Sequence, residues 1–157
     1  MRALAGVLCL ALMLAGGVAI AASPGDDAMA TIHTFIDAFN KGDIKTAAAT
    51  HEPDAAIIDE MPPHQWHGPG AFQAWVGALM KSAADAGQTD QQAVLGRTIR
   101  VQVDGDTAYV VMEATFTYEE HGKPVAEPAQ IVCSLRQDAG TWKISAWAWS
   151  GAVPHPG

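Results

Sequence analysis

Basic residues are scarce in this 157-residue sequence. It contains 9 lysine and arginine residues against 17 aspartate and glutamate residues, which gives a formal net charge of −8. Nucleic-acid binding relies on clustered positive charge that displaces counterions, and the few basic residues here are scattered along the chain. The composition therefore argues against a polyanion partner, and no nucleic-acid binding is expected.

Cysteine and cofactor motifs are also nearly absent. The two cysteines are Cys9 and Cys133, and Cys9 lies in an N-terminal segment that is predicted to be removed. One remaining thiol cannot form an intrachain disulfide, so the stability of the domain must come from packing. The sequence has no glycine-rich phosphate loop and no dinucleotide fingerprint, because Gly68-Pro69-Gly70 is better explained as a helix entry. No cofactor is expected.

Residues 1–22 have the features of a secretory signal peptide. Met1 and Arg2 precede an uncharged apolar run, and small residues at Ala19 and Ala21 supply a cleavage pattern. An uncleaved membrane anchor is the alternative, but Gly16-Gly17 interrupts a run that is already short for a bilayer. The mature chain, residues 23–157, is therefore predicted to be one periplasmic or secreted domain that is not membrane-bound after cleavage.

The apolar spacing changes from helical to alternating along the mature chain. Helical spacing occurs in residues 28–40, 44–50 and 72–83. From about Gln91 onward apolar and polar residues alternate, and turn signals separate successive runs. Such alternation is typical of antiparallel strands with one face covered by other elements. The pattern predicts an α+β fold with N-terminal helices packed on an antiparallel sheet.

Acids, imidazoles and an indole are concentrated between residues 54 and 70. A predicted strand ends at Asp59 and Glu60, and a Pro-Pro turn then leads to His64, Trp66 and His67. If Asp59 faces the core, burial raises its pKa and suits a general base; if the strand ends earlier, both acids are ordinary rim residues. Carboxylates with His-x-x-His could bind a metal, but the spacing matches no known signature. No metal site is predicted.

Two tryptophans stand out in the last predicted strand, residues 141–150. Strict alternation places Trp147 and Trp149 beside Lys143 and Ser145, on the polar face of the sheet. Two exposed indoles are unusual in a monomer and favour a homodimer formed through that face. A β-bulge is the alternative, because it would turn one of these indoles into the pocket.

The chain resembles the NTF2-like superfamily, which includes SnoaL-like and ketosteroid isomerase-like domains. The resemblance covers residues 28–151 and depends on residues 39–43, 54–59, 66–68, 140–144 and 149–151. It implies a cone-shaped α+β fold with helices packed on a curved antiparallel sheet. It says little about activity, because this scaffold supports unrelated functions.

The resemblance also implies a role for Asp59. It occupies the place where ketosteroid isomerases keep the aspartate that moves a proton beside a carbonyl. Their oxyanion hole has no counterpart here, because Phe35 replaces its tyrosine and no acid matches its protonated aspartate at Gln130, Val132 or Cys133. Without those donors steroid isomerisation is disfavoured, since they usually supply the largest catalytic contribution.

Three functions remain open after this comparison. The favoured one is non-catalytic binding of a small apolar or aromatic molecule in the cone cavity, with these expected ligand-binding residues: Phe35, Ile57, Trp66, Trp75, Met112, Phe116 and Tyr118. The alternative is a cofactor-independent isomerase, cyclase or lyase that uses Asp59 as base and His64 or His67 as acid. The third is an assembly protein that works through the face with Trp147 and Trp149.

Overall fold

The computed structural model describes residues 23–156 of the chain. The predicted signal peptide, residues 1–22, and Cys9 within it lie outside the described residues, as does residue 157. None of the helices in the described part is both long enough and apolar enough to cross a membrane.

Three helices form the N-terminal half of the fold, as the apolar spacing predicts. They are α1 (Pro24–Asn40), α2 (Ile44–Ala49) and α3 (Ala71–Ala86). α1 begins before the apolar stripe because Ser23 accepts a hydrogen bond from the backbone of Asp26, and the Asp26 carboxylate closes a capping box. Asp43 caps α2, and Gly87 ends α3 in the left-handed conformation that glycine adopts most easily.

Seven strands form one sheet. They are β1 (His51–Ile58), β2 (Gln65–Trp66), β3 (Gln88–Asp104), β4 (Thr107–Glu120), β5 (Lys123–Asp138), β6 (Thr141–Gly151) and β7 (His155–Pro156). The order is β2-β1-β6-β5-β4-β3, with β7 paired to β5. β1 runs parallel to β6, and the other neighbours are antiparallel. The sheet is therefore mixed and unclosed, and the prediction of a wholly antiparallel sheet is wrong at the β1–β6 pair.

The two faces of the sheet differ in burial. On β4 the even-numbered residues from Ala108 to Met112 are at most 4% exposed, whereas Tyr109 on the other face is 42% exposed. α1 packs against β3, β4 and β6, and α3 packs against β1, β2 and β3. The helices thus cover the inner face, and the predicted α+β cone fold is confirmed.

The remaining cysteine is part of this core. Cys133 lies on the inner face of β5 with no exposed surface, and burial raises the pKa of its thiol to about 12. Because the thiolate is the reactive form, Cys133 is unsuited to nucleophilic chemistry and serves as a small apolar side chain.

Candidate functional site

A cavity of about 200 Å³ lies between the helices and the inner face of β4, β5 and β6. α1 and α3 contribute one wall, and the sheet with the segment after β1 contributes the other. The lining residues are Phe35, Ile36, Phe39, Asp59, Glu60, Met61, Trp75, Leu79, Ser82, Gln88, Ala93, Phe116, Tyr118, Glu127, Ile131, Trp147, Trp149 and Pro154. The lining is mostly apolar, and its three ionisable carboxyl groups are the only charged groups among these residues.

The cavity has a buried floor and a solvent-facing mouth. Phe35, Ile131 and Trp147 are 1%, 1% and 3% exposed, so the floor is closed off by the core. Glu60 and Pro154 are exposed lining residues, and they mark the side that opens to solvent. A molecule entering there would meet the carboxylates first and the aromatic rings beyond them.

A β-bulge in β6 directs both late tryptophans into this cavity. The pairing of β5 with β6 shifts register between Ser134 and Leu135, which leaves Ser145 as an extra residue. Trp147 is therefore buried next to Trp75, with ring centroids 4.8 Å apart, and Trp149 lines the cavity beside it. The strict alternation expected for this strand is wrong, and the β-bulge given as the alternative is the arrangement found. The two indoles lie on the inner face, a position that does not favour their predicted role in a dimer interface.

Asp59 follows β1 and is held at the cavity wall by two hydrogen bonds. One carboxylate oxygen accepts from the indole Nε1 of Trp75 at 3.0 Å, and the other accepts from the backbone N of Met61 at 2.9 Å. These bonds join the turn after β1 to α3, because Trp75 is an α3 residue. Asp59 therefore has a clear structural role.

Replacing Asp59 with alanine is expected to lower the free energy of unfolding by about 1–3 kcal/mol, because the Trp75 indole, 5% exposed, would lose its acceptor. Urea unfolding followed by fluorescence measures the change. Asp54→Ala, an exposed acid on the same segment, is the control and is expected to change stability by less than about 0.5 kcal/mol. Equal stability of the two variants would contradict the structural role of Asp59.

Glu60 and Glu127 bring two carboxyl groups together at the mouth. Glu127, on β5, is only 4% exposed, and its Oε1 accepts a hydrogen bond from Trp149 Nε1 at 3.0 Å. The pKa of Glu60 is raised to about 7 by partial burial of its carboxyl group in the cavity mouth, then by the charge of Glu127, a hydrogen bond with that carboxyl and the charge of Asp59. Glu60 can therefore hold a proton near neutral pH and donate it in the hydrogen bond to Glu127.

Gly151 on β6 makes room for this carboxyl pair. A β-carbon at position 151 would overlap Glu127 Oε1 and Glu60 Oε2. Sequence reasoning missed Glu127, although a signal was present. Glu127 has the same parity on β5 as Ile131, Cys133 and Leu135, so alternation places its carboxylate on the covered face.

The structure places the predicted site residues in three environments. Phe35, Asp59, Trp75, Phe116 and Tyr118 line the cavity. The other three predicted ligand-binding residues are buried in the core away from the lining, and these are Ile57, Trp66 and Met112. The two histidines predicted as acids are exposed and do not line the cavity, namely His64 and His67.

Metal binding has little support in the described part of the chain. Residues 23–156 contain no group of three or more histidine, cysteine, aspartate or glutamate side chains placed to hold a metal ion. Asp59, Glu60 and Glu127 are close, but the oxygens of Asp59 are occupied by Trp75 and Met61.

Known proteins place this architecture in a family. The fold resembles a ketosteroid isomerase-like protein from Erwinia carotovora atroseptica, with a TM-score of 0.65, 21% identity, and 83% of this chain and 97% of that chain covered. It also resembles a hexachlorocyclohexane dehydrochlorinase from Novosphingobium barchaimii, with a TM-score of 0.67, 16% identity, and coverages of 82% and 88%.

A third similar structure is the CaMKII hub of S. rosetta, with a TM-score of 0.67, 19% identity, and 85% of this chain and all of that chain (100%) covered. No curated protein matches the sequence. A family model for the SnoaL-like domain matches residues 28–154. The chain therefore belongs to the SnoaL-like domain family, within the NTF2-like superfamily.

Proposed function

We propose that this domain binds a small, largely apolar molecule of about one ring inside its cavity. The supporting observation is the cavity itself, which is closed at its floor by aromatic side chains and open to solvent at the carboxyl end. An apolar pocket with a few polar groups at one side is the usual form of a small-molecule site.

The size of the cavity restricts the ligand. An engineered cavity of about 150 Å³ in another protein holds benzene, whereas drug-sized ligands occupy roughly 300–1,000 Å³. A volume of about 200 Å³ therefore suits one substituted ring and is small for a steroid. This agrees with the sequence-based argument against steroid isomerisation.

One buried polar group adds support for a ligand. The indole Nε1 of Trp147 has no hydrogen-bond partner among the described residues, although Trp147 is a lining residue and 3% exposed. A buried donor without an acceptor costs about 1–3 kcal/mol. An oxygen on a bound molecule would remove this cost if it lay against the indole edge.

The second candidate function is proton transfer without a cofactor. Glu60, at the cavity mouth with a pKa of about 7, can both accept and donate a proton at neutral pH. Similarity to a ketosteroid isomerase-like protein and a dehydrochlorinase favours such chemistry at the level of the fold alone. Asp59 remains a predicted base, but His64 and His67 do not line the cavity, so Glu60 is the better acid.

We also propose that the domain is exported, with residues 1–22 acting as a cleaved signal peptide. The apolar run and the small residues before the cleavage site support this. Expression of the full chain in a bacterial host, followed by intact-mass measurement of the periplasmic and medium fractions, tests it. A chain that keeps residues 1–22 and stays with the membrane would refute export.

Filling the cavity is expected to abolish binding. A thermal-shift screen with neutral one-ring compounds such as indole and tert-butylbenzene identifies ligands. A compound present at 100 times its dissociation constant stabilises the folded state by about 2.7 kcal/mol, which raises the melting temperature by on the order of 10 °C. Leu79→Trp places an indole in the cavity wall. Met80→Trp adds the same indole at an exposed position, 49% exposed, that does not line the cavity.

The outcomes distinguish ligand binding from proton transfer, and both from the absence of either function. The same compounds should raise the melting temperatures of the wild type and of Met80→Trp, and they should leave that of Leu79→Trp unchanged. Equal shifts in Leu79→Trp, or no shift with any one-ring compound, would refute binding in this cavity. Proton transfer predicts in addition that a bound carbonyl compound exchanges its α-hydrogens in deuterated water at least tenfold more slowly with Glu60→Gln than with wild type.

A further inference from the structure

The cavity combines aromatic walls with negative charge that the described chain does not balance. Its three carboxyl groups belong to Asp59, Glu60 and Glu127, and no lysine, arginine or histidine is among the lining residues. Within residues 23–156 the ion pairs involve other acids, so no basic nitrogen lies within 4 Å of these carboxylates. An apolar molecule alone would leave this charge uncompensated.

Glu127 makes this imbalance costly. A carboxylate that is 4% exposed loses most of its hydration, and it is stabilised only if a cation or several hydrogen-bond donors replace the water. The indole of Trp149 provides one donor at 3.0 Å. The other near neighbour is the Glu60 carboxyl, which donates a hydrogen bond to Glu127 when it is protonated and brings further negative charge when it ionises.

The aromatic rings beside Glu127 suit a cation as well. Phe116 pairs with Glu127 across β4 and β5, and its ring lies edge-on to Trp149 with centroids 6.3 Å apart. Tyr118 is next on the same face, 5.7 Å from Phe116. Ring faces attract cations by about 0.5–2 kcal/mol, more so where water is excluded.

We propose that the ligand of this pocket is an organic cation, an apolar or one-ring molecule with a positively charged nitrogen held by Glu60 and Glu127. This rests on the proposed binding function and specifies its ligand class. The nitrogen lies at the carboxyl pair near the mouth, and the apolar part extends toward Trp147 and Trp75. The volume of the cavity allows one ring together with a substituted ammonium group.

Proton linkage supports this assignment. Since the pKa of Glu60 is about 7, a bound cation would favour the ionised form of Glu60 and displace its proton. The other titratable groups nearby are Asp59 and, on β4, Tyr118 and Glu120. Burial and the charges of Glu120, Glu127 and Glu60 raise the pKa of Tyr118, so this phenol stays neutral and adds no negative charge.

The test compares two probes of equal shape and different charge. Phenyltrimethylammonium is a permanent cation, and tert-butylbenzene is its neutral isostere. Isothermal titration of the mature protein at pH 8 is expected to show at least tenfold tighter binding of the cation. At pH 7 the binding enthalpy of the cation should differ between phosphate and Tris buffers, because about half a proton is released.

Variants separate charge from shape. In the double variant Glu60→Gln/Glu127→Gln the preference for the cation over tert-butylbenzene is expected to fall below threefold. The affinity of this variant for tert-butylbenzene should stay within about twofold of the wild-type value. Glu60→Gln alone, at an exposed position, keeps the test available if the double variant does not fold. Glu119→Gln removes an exposed charge on the other face of β4 and should keep the full preference.

Four results would overturn the cation proposal. Equal affinity for both probes would refute the cation and leave apolar binding intact. A cation preference that survives in both Glu60 variants would place the charge recognition elsewhere and refute this site. Binding of neither probe would refute the cation proposal and the pocket function together. Displacement of the cation by equimolar calcium would instead identify a metal site and refute an organic cation.

Discussion

Replacing Phe35 with alanine is expected to lower the free energy of unfolding by about 3–5 kcal/mol, the usual loss for a buried phenylalanine. Phe35 is 1% exposed and lies at the centre of the aromatic core. Its ring centroid is 4.8 Å from that of His51, 5.8 Å from that of Trp147, 5.9 Å from that of Phe72 and 6.5 Å from that of Phe39. One side chain thus joins α1 to β1, α3 and β6.

The matched control removes an aromatic ring from the opposite face of the sheet. Tyr109 is 42% exposed, and its ring interacts only with the Arg100 guanidinium, 5.8 Å away, among the aromatic and cationic contacts of the described residues. Tyr109→Ala should cost less than about 1 kcal/mol. Urea unfolding measures both variants. A loss below 1 kcal/mol for Phe35→Ala would show that the core can collapse around the missing ring.

The same substitution separates the two roles of Phe35. Because Phe35 also lines the cavity floor, its removal enlarges the space available to a ligand as well as weakening the core. A variant that is destabilised but still folded is expected to bind larger apolar molecules than the wild type does. Stability and ligand size are thus coupled through one ring in this fold.

Periodicity is sufficient to predict the helices and the long strands of this fold, but not the two-residue strands β2 and β7. The apolar spacing of 28–40 and 72–83 identifies α1 and α3, and alternation on β4 identifies the inner face, because each signal depends only on near neighbours in the chain. Asp59 is placed at the pocket for the same reason, since its strand ends within one residue of it.

The carboxyl pair could not be predicted in this way. Glu60 and Glu127 meet only because β1 pairs with β6, β6 pairs with β5, and Gly151 leaves space between them. Those pairings depend on strand order, which is a property of the whole sheet. Alternation alone would have placed Glu127 on the inner face, but not opposite Glu60.

The sequence offered a β-bulge in β6 only as an alternative, and the local pattern could not decide in its favour for a related reason. A strand period of two predicts opposite faces for Ile144 and Trp147, yet both side chains are buried on the inner face. The extra residue is favoured because it lets a large indole pack against Trp75 and Phe35 from the helices. That gain lies in tertiary contacts, which the local pattern does not contain.

His51 is expected to make the protein less stable as the pH falls from about 6.5 to about 4. Its side chain lies at the start of β1, 6% exposed, between the rings of Phe35 and Phe72. Nδ1 donates to the carbonyl oxygen of Ala47 at 3.0 Å, and the buried Nε2 has no partner among the described residues. A proton on Nε2 would therefore create a buried charge without an acceptor.

The sign follows from where the proton binds. Burial, with a smaller contribution from the charge of Lys143, lowers the pKa of His51 from 6.5 to about 4, although the hydrogen bond to Ala47 opposes this shift. Between these values the unfolded chain binds the proton and the folded chain does not. The contribution of neutral His51 to the free energy of unfolding is complete above pH 6.5 and is lost as the pH falls toward 4. The loss amounts to roughly 3 kcal/mol in all.

The contribution of His51 can be isolated by urea unfolding of the wild type and His51→Gln at half-unit steps from pH 4 to pH 8. The other titrating groups cancel in the difference between the two proteins, and this includes Glu60, whose contribution to stability changes with pH in the opposite direction. The stability of the wild type minus that of the variant should fall by roughly 3 kcal/mol between pH 7 and pH 4. His33→Gln, which removes an exposed imidazole from α1, should reproduce the wild-type profile. A difference that stays constant with pH would show that His51 can be protonated inside the fold, with Nε2 reaching an acceptor through local opening of the segment between α2 and β1.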